Sequence, residues 1–298
     1  MKDQLSKWLT VMLASLVVLN TVRAGDQEAV QKSMGLLRKT TLALLEEGNE
    51  RFVCGTLKHP HTDAAHRMAA AIEGQEPFVT VLTCSDSRVP VELIFDRGIG
   101  EIFTVRVAGN VADTDEIATI EYGVGHLHTP VVIVMGHSRC GAVTAVVKDV
   151  ELEGLLPQLV DNIKPAADSA RHEGGEEPVV IANAIRANVW QSISDLLHRS
   201  AVVRKELETG GVSVIGAVYN LESGTVDWLG EHPDQKTILG AYKPESKPVA
   251  TVPGAVAPKT PAPGFQVPDE EPVKKAAPAA PVASTQPAES SAPAAHAH

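Results

Sequence analysis

Three residues with metal-ligating side chains stand in two short loops of the sequence. Cys84 begins the run C-S-D-S-R, and His137 and Cys140 lie within the run G-H-S-R-C-G. Zinc prefers thiolate and imidazole ligands in a tetrahedral arrangement, and a catalytic zinc keeps one of its four positions open. This set therefore predicts a catalytic zinc site, with water in the fourth position or Asp86 there in a resting state.

Asp86 and Arg88 form a second pair of interest in the first loop. One residue separates them, so in an extended turn the two side chains can lie on the same side. An arginine can hold a carboxylate with two hydrogen bonds and so set its orientation. The pair predicts a carboxylate that accepts a hydrogen bond from zinc-bound water. A local ion pair that only stabilises the loop is the alternative.

Each of these loops directly follows a segment that reads as a buried strand. Phe78–Thr83 and Val131–Met135 are short apolar runs rich in β-branched residues. In open α/β sheets, ligands gather beyond the carboxyl ends of the strands. If these two strands are neighbours, both loops therefore face one crevice.

The rest of the sequence predicts an α/β fold, with a mainly parallel sheet flanked by helices. Strands that alternate with helices favour this class. An N-terminal helical arm is expected at one end and an antiparallel edge hairpin at the other. The predicted elements are helices over Gln27–Phe52, Asp115–Leu127, Gly141–Val150 and around Ile185–Leu197, with further strands over Ile102–Val105, Val212–Tyr219 and Thr225–Leu229.

The first 24 residues have the pattern of a secretory signal. Lys2 and Lys7 precede the uncharged run Trp8–Leu19, and Ala24 ends a segment suited to signal peptidase. The run is shorter than the roughly 20 residues that a spanning helix needs. We therefore expect cleavage after Ala24 and a periplasmic or secreted protein that does not span a membrane.

Composition divides the remaining chain into a folded domain over 25–242 and a tail over 243–298. The tail holds 12 of the 20 prolines and is otherwise mostly small or polar, without apolar periodicity. Such a segment cannot bury enough surface to offset its ordering entropy, so it predicts a disordered Pro/Ala-rich tail. The formal net charge of −11 and the absence of a basic stripe argue against a nucleic-acid surface.

Cys54 is the third cysteine of the chain. An odd number leaves one thiol over, and with Cys84 and Cys140 assigned to a metal that thiol is Cys54. We interpret it as a partly buried small apolar residue rather than a redox group.

The two loops, C-S-D-S-R-V-P at 84–90 and G-H-S-R-C-G at 136–141, resemble the signature loops of β-class carbonic anhydrases. The resemblance extends to E-G-N-E-R-F at 47–52, R-V-A-G-N at 106–110, I-E-Y at 120–122 and the hairpin Gly216–Leu229. It covers roughly Gln27 to Leu229 and does not include the tail.

This resemblance implies a function and an assembly. It implies reversible hydration of carbon dioxide to bicarbonate and a proton, with one zinc ion per subunit and zinc-bound hydroxide as the nucleophile. It also implies a homodimer or a dimer of dimers, with each active site near the subunit boundary. The substrate pocket that it implies consists of Gln75, Phe103, Ala108, Tyr122 and Gly141. By type alone, the middle three are ordinary core residues, and Gly141 permits close packing at a helix start.

Two other functions fit the same residues. A hydrolase acting on carbonyl sulfide or carbon disulfide could use the same scaffold and zinc site. A non-catalytic protein that binds zinc or bicarbonate is the other alternative, although pure binding does not require the oriented acceptor that Asp86 and Arg88 provide. A redox protein is disfavoured because the sequence has no C-x-x-C. Candidate proton-transfer residues, by type only, are His59, His61, His126 and His128.

Overall fold

The computed structural model describes residues 29 and 31–241. The predicted signal over 1–24 and the predicted tail over 243–298 lie outside the described residues. Among the described residues, none of the helices is both long and apolar enough to cross a membrane.

A five-stranded sheet with the order β2-β1-β3-β4-β5 organises the described chain. The first four strands run parallel and β5 pairs antiparallel with β4, which confirms the predicted mainly parallel sheet with an antiparallel edge hairpin. The strands are β1 Val79–Cys84, β2 Ile102–Val107, β3 Val131–His137, β4 Ser213–Tyr219 and β5 Val226–Gly230.

Helices cover both faces of this sheet. The N-terminal arm is α1 over 31–53, and Ala108–Asn110 forms a short 3₁₀ turn. The other helices are α2 Ala64–Glu73, α3 Val91–Ile94, α4 Thr114–Gly125, α5 Gly141–Val147, α6 Leu156–Val160, α7 Lys164–Glu173, α8 Glu177–Arg199, α9 Ala201–Glu208 and α10 Gln235–Ala241.

The central strands are buried on both faces, as their continuous apolar sequence requires. Every residue of β1 and β3 is buried. On one face α8 packs Ile193 and Leu196 against the sheet. On the other face Leu45 of α1 and Ile94 of α3 join the core. Each fully buried aliphatic side chain of this kind stabilises the fold by about 1.5–3 kcal/mol.

The register between β1 and β3 places the two loops of interest side by side. Thr83 lies opposite Met135, and its hydroxyl donates a 2.9 Å hydrogen bond to the Met135 carbonyl. Cys84 ends β1 and His137 ends β3. Because the strands are parallel neighbours, both ends lie at the same carboxyl edge of the sheet.

Cys54 differs from its interpretation as a partly buried residue. It follows the last turn of α1 and is exposed. The prediction was wrong because residue type alone assigned its burial, whereas α1 directs its packed face elsewhere, through Leu45 and Asn49.

Candidate metal centre

Cys84, His137 and Cys140 converge at the carboxyl edge of the sheet. Cys84 and His137 end adjacent strands, and Cys140 stands immediately before α5. Their ligand atoms all lie within 4.8 Å of one another, and all three residues are buried. Within the part of the chain that the structure describes, this is the one cluster of three or more residues whose type and spacing suit a metal ion.

The histidine has the protonation pattern that a metal ligand needs. Its Nδ1 lies 2.9 Å from the Ser138 carbonyl oxygen. Since a carbonyl oxygen only accepts, the ring hydrogen belongs on Nδ1 and the lone pair on Nε2. Among the described residues the buried Nε2 has no hydrogen-bond partner. An unpaired buried nitrogen is costly, and a metal ion would satisfy it, so the residues fit zinc.

The two thiols share one proton. A hydrogen bond from the Cys140 thiol, with a further contribution from the Gly109 N–H, lowers the pKa of Cys84 to about 4. The same hydrogen bond, together with burial, raises the pKa of Cys140. The interaction between the two sulfurs therefore favours one thiolate over two when no metal is bound. Thiolates are the form that binds metals, and metal binding releases the remaining proton.

Asp86 is held beside the cluster by Arg88. The Arg88 guanidinium donates from Nε to Oδ1 at 2.9 Å and from Nη2 to Oδ2 at 2.7 Å, and the Arg88 backbone N–H donates to Oδ1 at 2.9 Å. These hydrogen bonds hold the pKa of Asp86 well below its usual range. Its Oδ2 lies 3.8 Å from His137 Nε2. The expected two-bond Asp–Arg geometry is thus present, with the carboxylate facing the ligand cluster.

Arg106 is a further residue at the site, and the sequence reasoning assigned it no role. It lies in β2 opposite Thr83, and its guanidinium donates to the carbonyl oxygens of Cys84 at 3.2 Å and Asp86 at 2.7 Å. It therefore holds the backbone of the first loop. An arginine near the end of a mostly apolar strand, opposite the last residues of β1, is the signal that could have identified it.

The structure brings two of the five pocket residues next to the metal ligands. Ala108 precedes Gly109, whose N–H donates to Cys84 Sγ at 3.3 Å. Gly141 follows Cys140 and is exposed, and a Cβ built there meets nothing within 4 Å. Close packing, the reason expected from residue type, therefore does not explain this glycine.

The other three pocket residues lie away from the cluster of the same subunit. Phe103 is opposite Thr80, four residues before the level of Cys84, which is about 13 Å along a strand. Tyr122 contacts Phe103, with 5.9 Å between ring centroids, and is 49% exposed. Gln75 precedes β1 and lines a cavity of about 490 Å³ that also includes His126 and His128.

Sequence comparisons identify relatives of this chain. A carbonic anhydrase family model matches residues 79–226. The chain is 35% identical over 185 residues to carbonic anhydrase 2 of Mycobacterium tuberculosis, covering 60% of this chain and 87% of the relative. It is 34% identical over 188 residues to the carbonic anhydrase of Mycolicibacterium smegmatis, covering 61% and 89%.

Similar solved structures indicate which class of carbonic anhydrase the chain resembles. The chain is similar to CafA, a β-carbonic anhydrase of Aspergillus fumigatus, with a TM-score of 0.55 and 26% identity over 60% of this chain and 88% of that one. The chain belongs to the β-carbonic anhydrase family. A tetrameric β-carbonic anhydrase of Sordaria macrospora is also similar, with a TM-score of 0.51 and 28% identity over 56% of this chain and 87% of that one.

Membership of the β-carbonic anhydrase family confirms two predictions. The resemblance read from the two loops is correct, and the chain is an enzyme of this family. β-Carbonic anhydrases are zinc enzymes, and the Cys84–His137–Cys140 cluster supplies the matching donor set.

Proposed function

We propose that this chain catalyses the reversible hydration of carbon dioxide to bicarbonate and a proton, with one zinc ion per subunit held by Cys84, His137 and Cys140. The observation that carries the proposal is the convergence of these three ligand atoms within 4.8 Å beside a carboxylate that an arginine orients. Zinc, when bound, lowers the pKa of a coordinated water to about 7 and so supplies a nucleophile near neutral pH.

Asp86 acts in this proposal as the fixed hydrogen-bond acceptor of the site. An ionised carboxylate can only accept, and the low pKa of Asp86 keeps it ionised over the working range. Arg88 bonds to both carboxylate oxygens and so prevents the group from rotating. Two thiolate ligands reduce the positive charge at the metal, which makes an oriented acceptor beside the nucleophile more important.

The Asp86–Arg88 pair also supports an open site over one that Asp86 closes. Direct ligation by Asp86 would place one carboxylate oxygen on the metal and disturb a pair made by three hydrogen bonds. Arg106 donates a hydrogen bond to the Asp86 carbonyl oxygen and so also limits movement of the loop. The fourth position is therefore left for water and substrate.

The proposed assembly is a homodimer or a dimer of dimers in which subunits share their pockets. Phe103, Tyr122 and Gln75 lie too far from the cluster of their own subunit to line its pocket, yet Tyr122 is half exposed and free to contact a neighbour. A partner's copies of these three residues would complete each pocket. The tetrameric assembly named for the Sordaria macrospora relative supports this arrangement.

We further propose export, with removal of residues 1–24, on the pattern of Lys2, Lys7 and the uncharged run that follows them. The mature enzyme would then interconvert carbon dioxide and bicarbonate in the periplasm or outside the cell. Cell fractionation together with mass spectrometry of the intact mature chain tests this, and a cytoplasmic chain that begins at Met1 would refute it.

Stopped-flow carbon dioxide hydration by the protein beginning at Gly25, with zinc content measured on the same sample, tests the activity. Fast hydration that a chelator abolishes and zinc restores is the expected result. A Cys84→Ser variant of the same preparation is the control for adventitious zinc. Full zinc occupancy with turnover only of carbonyl sulfide or carbon disulfide would replace the proposal with the sulfur-substrate hydrolase. Zinc with no turnover of any of the three would favour a binding protein.

A further inference from the structure

Asn188 is a fully buried amide in the middle of α8, a position where helix formation does not favour it. Asparagine is among the weaker helix formers, and a buried amide costs free energy unless it is hydrogen-bonded. Its side chain is 0% exposed, and apart from Ser192 the buried residues around it on this helix face are apolar, among them Ile185 and Val189. A specific hydrogen bond is therefore the expected reason for this residue.

That hydrogen bond is made to the 3₁₀ turn beside the ligand cluster. Asn188 Nδ2 donates to the Gly109 carbonyl oxygen at 2.7 Å, across 79 positions of sequence. Gly109 in turn donates its backbone N–H to Cys84 Sγ at 3.3 Å. One glycine thus connects a helix on the face of the sheet to a sulfur of the ligand cluster.

Gly109 has the conformational freedom that makes such an anchor necessary. Its φ is +74°, in the left-handed region that favours glycine. A Cβ at this position would lie 2.6 Å from Ile163 Cδ1 and 3.2 Å from Ala142 Cβ, so a side chain could be added only if Ile163 moved. The peptide after Gly109 is held by Asn188 and the peptide before it by Cys84. Together the two hydrogen bonds determine where the N–H points.

From this geometry we propose that Asn188 is a positioning residue for the metal centre, acting through Gly109 to aim a backbone N–H at the Cys84 sulfur. A hydrogen bond to a ligating thiolate draws charge from the sulfur and orients it, and outer contacts of this kind tune metal sites. The inference rests on the proposed role of Cys84 as a zinc ligand. It extends the site to α8, in which Asn188 lies 48 residues beyond Cys140, the last ligand in the sequence.

Two variants remove the donor while preserving size, Asn188→Leu and Asn188→Asp. The matched control is Ser192→Ala, because Ser192 is also buried in α8 and donates to the Asn188 backbone carbonyl at 2.9 Å without touching Gly109. Zinc affinity is measured by competition with a chelator, and the sulfur-to-cobalt charge-transfer absorption is recorded on the cobalt-substituted proteins. Thermal unfolding is followed on the same samples.

We expect both Asn188 variants to bind zinc about tenfold to a hundredfold more weakly and to shift the cobalt charge-transfer band. Ser192→Ala should leave affinity and band unchanged, even if it lowers the melting temperature. Asn188 variants that fold with wild-type affinity and an unshifted band would overturn the inference, as would a loss of stability without a spectral change. A wild type that binds no zinc would refute the proposed function itself.

If neither Asn188 variant folds, the hydrogen bond from the Gly109 N–H to Cys84 Sγ can be tested in the wild-type protein. In the ¹¹³Cd-substituted protein, a scalar coupling between cadmium and the Gly109 amide proton is expected through the N–H···S bond. Its absence would overturn the inference.

Discussion

The carboxylate of Asp86 faces His137, with Oδ2 3.8 Å from Nε2. The two residues are about 50 positions apart in the sequence, and only the pairing of β1 with β3 makes them neighbours. One of the two atoms is a buried nitrogen without a hydrogen bond among the described residues, and the other is an oxygen that Arg88 holds in place. The pair therefore places a metal-ligand atom, His137 Nε2, next to a hydrogen-bond acceptor, Asp86 Oδ2, whose orientation is fixed.

Replacing Asp86 with alanine should separate these two roles. We expect Asp86→Ala to keep stoichiometric zinc, because the three ligands remain, and to lose about 10²–10⁴-fold in kcat for carbon dioxide hydration. Stopped-flow kinetics and metal analysis on one sample measure both. Asp115→Asn, which neutralises an exposed carboxylate at the start of α4, is the control. An active Asp86→Ala enzyme would remove Asp86 from the mechanism.

Removing the metal should destabilise the fold locally and reversibly. Without a metal, His137 Nε2 is a buried, unpaired atom and the two thiols share one proton, so we expect chelation to lower the melting temperature. Zinc at 100 times its Kd should restore about 2.7 kcal/mol of unfolding free energy. His137→Ala is the control, since its melting temperature should not respond to zinc in the same way. Equal responses in both proteins would place the metal elsewhere.

The ionised Asp96 carboxylate should contribute to the free energy of unfolding at neutral pH, and this contribution should be lost in acid. Burial alone would raise the pKa of its carboxyl. The side-chain hydrogen bond from Arg51 and the backbone N–H groups of Lys58 and His59 outweigh burial and hold the pKa below its usual value. A depressed carboxyl pKa contributes stability above the unfolded value of about 3.9, and this contribution is lost as the pH falls through the folded value.

Asp96→Asn should therefore be less stable than the wild type at neutral pH, by about 1.5–3 kcal/mol for a lost hydrogen bond to a charged group. The difference should shrink below about pH 4, where the wild-type carboxyl is protonated in the unfolded chain. Denaturant unfolding at both pH values measures it. Asp227→Asn, which removes an exposed partner of Arg186, is the control with little expected effect. A difference that is independent of pH would contradict the assignment.

Shared pockets predict complementation between two defective subunits. Asp86→Ala impairs the catalytic side of a site, and Phe103→Ala impairs the pocket side that we assign to the partner. Co-expressed with different affinity tags, the two should form mixed dimers in which one site carries both changes and the other carries neither. Activity well above either homodimer, measured on the doubly purified species, is expected. Mixed dimers no more active than the mean of the two homodimers would place Phe103 outside the partner's pocket.

Much of the fold could be predicted because its central strands are continuous apolar runs. β1 and β3 were predicted to within two residues at either end, since β-branched runs of this length bounded by polar loops suit a buried strand. Helices α1, α4, α5 and α8 were expected from their spacing. Helices α2, α3, α6, α7, α9 and α10 were not expected. Each is ten residues or shorter, so it contains few turns in which apolar residues can recur.

Residue types and spacing were enough to predict the chemistry: two thiols, one imidazole and an Asp–Arg pair, at or just after the ends of two strands, specify a zinc site if those strands are neighbours. Tertiary structure decided which residues act on that site from a distance. Asn188 donates a hydrogen bond to Gly109, and Arg106 donates one to the backbone of the first loop. Phe103 and Tyr122 contact each other and lie away from the ligand cluster of their own subunit. Local patterns record periodicity and turn preference, whereas these contacts depend on strand register and helix packing, which bring together residues that have no regular spacing along the chain.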